Sequence, residues 1–201
     1  KAFCFQMPKH TVFLSPITER SATNEHYCNL LVTHDVLKGM SSPIGFIGQG
    51  WIGKNYANDF EARGYTVVRY ALEEPYCQNL NALSGCNVVF IAVPTPTTVE
   101  GFDFSAVADS LQLLQPGTVA VIKSTLLPGT TDTLQDQFPE LVILHSPEFL
   151  REASAAHDAA NPNRNIIGIP KDTQTHRDAA ALVLSLLPTA PYSTTIDARA
   201  A

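Results

Sequence analysis

Gly48, Gly50 and Gly53 stand in the spacing G-x-G-x-x-G, directly after the apolar run Ile44-Gly45-Phe46-Ile47. Glycines at those intervals suit a pyrophosphate. The first permits a tight turn, the second lets backbone approach the phosphates with no Cβ in the way, and the third lets the next helix pack closely on the strand. That helix would aim free N–H groups and its positive end at the phosphate charge. Trp51 and Ile52, inside the motif, are counted with the cofactor-contacting residues. A glycine turn with no ligand is the plain alternative, and the flanking elements weigh against it.

Three later segments carry polar side chains where apolar runs end. They are Val93-Pro94-Thr95-Pro96-Thr97-Thr98, Lys123-Ser124-Thr125 with Pro128-Gly129-Thr130-Thr131, and Ser146-Pro147-Glu148-Phe149-Leu150-Arg151-Glu152. Any one of these segments alone reads as turn chemistry, but three consecutive strand ends rich in hydroxyls or carboxylates describe a cleft. Glu148 and Glu152 are its carboxylates, and Thr95 and Thr125 are among its hydroxyls. The alternatives are structural: Glu148 as the cap of a helix over 149–156, Glu152 on its solvated face, and Arg151 in a surface ion pair. The cysteines Cys4, Cys28, Cys77 and Cys86 form no C-x-x-C and sit at no metal-ligand spacing, so they read as reduced structural thiols.

The elements that must position these residues alternate between strand and helix. From residue 44 the pattern predicts strands at 44–47, 65–70, 87–93, 118–122, 141–144 and 165–169. Helices are predicted over 54–63, 105–115, 130–137 and 177–187, after which Pro188 and Pro191 break the pattern. Such alternation predicts an α/β fold with a doubly wound parallel sheet, a Rossmann-type dinucleotide-binding domain. Ligands of such sheets lie beyond the carboxyl ends of the strands, where the glycine turn and the three polar segments fall. The domain is expected over 40–190, with 1–39 an extension lacking clear periodicity and 191–201 the start of a connecting segment. Met40 looks like a natural start codon.

The glycine turn, V-P-T-P-T, K-S-T-x-x-P-G-T-T, and S-P-E-F-L-R-E followed by Asp158, Pro162 and Arg164 resemble the UDP-glucose/GDP-mannose dehydrogenases over roughly residues 44 to 187. That family oxidises the primary alcohol of a nucleotide sugar to a carboxylate. The resemblance implies NAD as cofactor, with Gly48, Gly50 and Gly53 seating its pyrophosphate, Thr95 and Thr125 against its nicotinamide half, and Val93 and Pro94 among the cofactor-binding residues. Glu148 and Glu152 match the family's two acidic positions, one of them implied to do base or water-activating work, with Thr95 and Thr125 beside the active-site water. Taking a hydride from an alcohol leaves a proton for such a group to remove. Backbone around Phe149, Leu150 and Arg151 would line the sugar-nucleotide site. A homodimer is implied for the full-length protein.

Two departures stand out. The acidic residue that ends the second strand and bonds the adenosine ribose is replaced by Ala71; Glu73 lies two residues on, and Arg69 could in principle favour a 2′-phosphate. A hydrogen bond to a charged group contributes about 1.5–3 kcal/mol, so the loss matters. The second departure is that the family's thiolate cysteine, in G-x-G-G-x-C, and its lysine–asparagine helix are not found, so the chain reads as the cofactor part of a larger enzyme. The runner-up is a β-hydroxyacid dehydrogenase, which shares the opening glycine turn but lacks S-P-E-F-L-R-E. A stand-alone nucleotide-binding module is the reading from another class. Net charge of −6 and pI near 5.4 argue against a nucleic-acid partner. No apolar run reaches the ~18 residues of a membrane span, and no secretory signal is evident, so the cytoplasm is expected.

Overall fold

The computed structural model describes residues 42–201; the expectations for residues 1–39 lie outside them. Four short apolar runs form the centre of a seven-stranded sheet: β1 (Ile44–Ile47), β3 (Val88–Ile91), β6 (Val119–Ile122) and β7 (Val142–His145). They are almost wholly buried because helices cover both faces, and a continuous apolar run is what two-sided burial demands. Sheet order is β2-β1-β3-β6-β7-β8-β9, where β2 is Val67–Tyr70, β8 is Arg164–Ile169 and β9 is Tyr192–Asp197. β1 lies between β2 and β3, so the winding reverses beside β1, where such folds bind dinucleotides.

The α/β expectation holds, with a mostly parallel sheet. β7 and β8 pair antiparallel through His145 and Gly168, while β8 and β9 are parallel. β9 is an additional strand, in a stretch the sequence assigns to no element. A short antiparallel hairpin, β4 (Thr97–Thr98) with β5 (Gly101–Phe102), also goes unforeseen. So does the 3-10 helix Cys77–Gly85 between β2 and β3.

One face of the sheet is covered by α1 (Trp51–Ala62), whose Gly53, Tyr56, Ala57 and Phe60 are spaced to bury one helical side. There Phe46, Phe60 and Phe90 meet with ring centroids 5.1–5.4 Å apart. The opposite face buries Val107 and Leu111 of α2 (Ser105–Gln112) and Leu134 of α3 (Thr130–Gln137). α4 (Ala155–Ala160) and α5 (Gln174–Leu186) complete the helices.

Register then sets the site. Ile47, Ile91, Ile122 and His145 are paired in a row across the sheet. The next residues of three neighbours bond straight across: Ala92 N to Ile47 O, Lys123 N to Ile91 O and Ser146 N to Ile122 O, each at 2.8 Å. Four strand ends therefore finish level, and the polar segments begin from one line.

Candidate functional site

The glycine turn opens a cleft of about 1070 Å³ at the reversal of winding. Gly48 has φ +89°, a conformation other residues rarely adopt, and a Cβ there would stand 2.2 Å from Ala92 O. A Cβ on Gly53 would lie 1.9 Å from Gly48 O, so the third glycine lets α1 close on the turn itself. Around Gly50 nothing lies within 4 Å of a built Cβ, which leaves backbone exposed on the cleft side. Gly50 caps α1 with no side-chain bond, and no acidic residue occupies the first turn. Within the described residues, the N–H groups of Trp51, Ile52 and Gly53 meet no protein acceptor. An open cradle below unpaired N–H groups at a helix N-terminus fits a dinucleotide pyrophosphate.

Gly48, Gly50, Trp51, Ile52, Val93 and Pro94 all line this cleft, while Gly53 sits beneath it. Thr95 lies outside the lining. Its hydroxyl donates to Thr125 O at 2.9 Å, bringing the V-P-T-P and K-S-T loops together. Ser124 fastens the same loops, its Oγ donating to Val93 O (2.7 Å) and accepting from Val93 N (3.0 Å).

Glu148, Phe149, Leu150 and Arg151 line a second cavity, of about 250 Å³, with Tyr56, Lys123 and Arg164. Glu148 Oε1 accepts from the N–H groups of Phe149 (2.7 Å) and Leu150 (2.9 Å), and the Tyr56 hydroxyl donates to it at 3.4 Å. Its Oε2 makes an ion pair with Lys123 Nζ at 3.0 Å, without the angles of a hydrogen bond. Lys123 Nζ also lies 4.2 Å from the Tyr56 ring centroid and donates to Ser146 Oγ at 3.2 Å. Burial alone would push the Lys123 ammonium down, but the Tyr56 oxygen and the Glu148 carboxylate outweigh it and hold the group above its usual range. Burial raises the Tyr56 phenol, and Glu148 adds to the effect against the opposing Lys123 charge.

The remaining sequence candidates are placed differently. Glu152 is exposed, opens the 3-10 turn Glu152–Ser154 and lines neither cavity. The helix expected over 149–156 does not form; α4 starts only at Ala155. The Arg151 guanidinium pairs with Asp158, Nη2 to Oδ1 at 2.9 Å and Nε to Oδ2 at 3.0 Å. Those bonds hold the Asp158 carboxyl well below its ordinary range. Sequence reasoning missed Tyr56 and gave Lys123 no role. A lysine closing the apolar run Val119–Ile122 was the signal for the second.

The sequence profile of the UDP-glucose/GDP-mannose dehydrogenase family, NAD binding domain, matches residues 77–184, more than half of the chain. The chain belongs to the UDP-glucose/GDP-mannose dehydrogenase family. Its cofactor is NAD. The glycine turn lies before the matched stretch, so its fit to a dinucleotide is an independent observation. The UDP-glucose 6-dehydrogenase of Rhizobium meliloti is 33% identical over 100 residues, covering 44% of this chain and 23% of that protein. Among solved structures, a UDP-glucose dehydrogenase from Pyrobaculum islandicum superposes with TM-score 0.67 at 24% identity, over 79% of this chain and 47% of the other. The GDP-mannose dehydrogenase from Pseudomonas aeruginosa gives TM-score 0.64 at 19% identity, over 78% and 47%. At those identities the two structures show the shared fold alone. The chain thus spans less than half the length of the family members it matches here.

Proposed function

We propose that this chain is the cofactor part of a dehydrogenase that oxidises the primary alcohol of a UDP- or GDP-sugar, of the UDP-glucose type, to the uronic acid with two NAD. The observation that carries this reading is the row of level strand ends, which gathers the glycine cradle, the joined Thr95–Thr125 loops and the S-P-E-F-L-R-E segment along one edge of the sheet. NAD, when bound, supplies the hydride acceptor. The chain's own residues do the rest. The α1 N-terminus and Gly50 hold the pyrophosphate, and Val93, Pro94, Thr95 and Thr125 border the nicotinamide half.

Glu148 is the proposed base or water-activating group, with Glu152 as a second acidic position, and Thr125 positions the water. Phe149, Leu150 and Arg151 line the sugar-nucleotide side. Neither described cysteine, Cys77 or Cys86, lines either cavity, and burial pushes the Cys86 thiol up to about 11. The thiolate step of the family is therefore assigned to a residue other than these two. A homodimer and a cytoplasmic site of action belong to the same proposal. Among the described residues, no helix is long and apolar enough to cross a membrane.

Trp51 tests the cofactor step directly. It is the chain's single tryptophan, lines the cleft and is 62% exposed. Titration with NADH is expected to quench its fluorescence saturably and to pass energy to the nicotinamide. Emission that stays unchanged to millimolar NADH would remove the support for this reading. For catalysis, the natural full-length protein should form two NADH per UDP-glucose, and a preference for GDP-mannose would reassign the sugar.

A further inference from the structure

We infer that Glu73 is the residue by which the cleft selects NAD over NADP, taking the adenosine ribose hydroxyls in place of the missing strand-end acid. The inference rests on the dinucleotide reading above and goes beyond it to a specificity-determining side chain. Position 71, where such folds carry that acid, is a buried alanine. Tyr70 O accepts from Gly48 N at 2.9 Å, so the segment leaving β2 begins against the glycine turn. Glu73 lies on that segment, twenty residues beyond Gly53, close to the ~20-residue offset at which such folds place the ribose acid.

Four carboxylates line the cleft: Glu73, Glu74, Asp103 and Asp109. Two are engaged, Glu74 accepting from Gln78 Nε2 (3.2 Å) and Asp103 from Ser105 N (2.8 Å). Among the described residues, the Glu73 and Asp109 side chains have no partner. Asp109 sits on α2, which packs beyond β3, whereas Glu73 sits on the β2 side where the ribose is expected.

Among the described residues, the same cleft has no cation for a 2′-phosphate. None of its lining residues is Lys, Arg or His. Arg69, the nearest candidate by sequence, has its guanidinium held by both Glu61 oxygens (2.8 and 3.1 Å), Asn58 Oδ1 (2.8 Å) and Gln49 Oε1 (3.2 Å). A 2′-phosphate would meet unpaired carboxylate charge, whereas a ribose diol would meet an acceptor.

Calorimetric titration of the whole chain with NAD, NADP and NAD lacking the adenosine 2′-hydroxyl tests the assignment. Wild type should prefer NAD, and Glu73→Ala should bind NAD about 10- to 100-fold more weakly. The deoxy analogue should bind wild type and variant alike. Glu73→Gln, which keeps the volume and removes the charge, should fall between them and narrow the NAD/NADP gap. Unchanged NAD affinity in Glu73→Ala, with loss in Asp109→Ala, would overturn the inference in favour of α2. Wild-type binding of NADP as tight as NAD would overturn it too. A chain that binds neither dinucleotide would instead bring down the cofactor reading beneath it.

Discussion

Lys123 is 3% and Glu148 10% exposed at the side chain, so their pair sits where one charge left alone is poorly solvated. Lys123→Met is therefore expected to destabilise the fold by about 3–5 kcal/mol in urea denaturation. Adding Glu148→Gln should recover part of the loss, and strictly additive effects would show that the pair is not coupled. His145, at the end of β7, behaves differently. Its Nε2 is buried without a partner. Burial and then the Lys123 charge lower its pKa from 6.5 to about 4, against a hydrogen bond at the Ser124 backbone. The folded protein therefore favours the neutral ring, and the unfolded chain binds more protons between those two values. Stability should be full above pH ~6.5 and fall as pH drops toward ~4, by up to about 3 kcal/mol. Denaturation midpoints from pH 7.5 to 4 would follow it, and His145→Asn should flatten that slope.

At the scale of elements, two glycines of one turn separate packing from binding. Gly53→Ala places a Cβ against the Gly48 carbonyl and should lower stability by about 1–3 kcal/mol while abolishing NADH quenching of Trp51. Gly50→Ala has open space and an unstrained φ of −70°, so it should melt like wild type yet bind cofactor weakly. Equal damage to stability from both would deny that division. The sequence showed this turn, and the central strands, because spacing and apolar runs are local signals. It mispredicted 149–156, a stretch of sound helix formers, because Arg151 is held out of the helical conformation. Its backbone is extended (φ −97°, ψ 132°), and its N–H and guanidinium both bond Asp158, a contact that helix propensity does not register. β9 was hidden because its residues are mostly exposed or half-buried and leave only a weak alternating pattern. The Tyr56–Lys123–Glu148 contact joins residues distant in sequence, and no single window contains it.

Across the whole molecule, the sheet divides the chemistry between its two faces. Val119 and Val121 pack on the α1 side and Ala120 and Ile122 on the other. That alternation continues past the end of β6. Lys123 reaches Tyr56 and Glu148, while Ser124 reaches Val93 in the cofactor loop. Adjacent residues thus serve different cavities because side chains on a strand alternate. A single inserted or deleted residue in β6 would exchange them, placing an ammonium in the cofactor loop and a hydroxyl beneath Tyr56. Past the cleft-lining residues that end at Tyr76, the connection from β2 to β3 is under no such constraint, since much of the 3-10 turn Cys77–Gly85 lies at the surface. Over evolutionary time, changes in chain length should accumulate in that connection, while β6 and its three following residues keep their count.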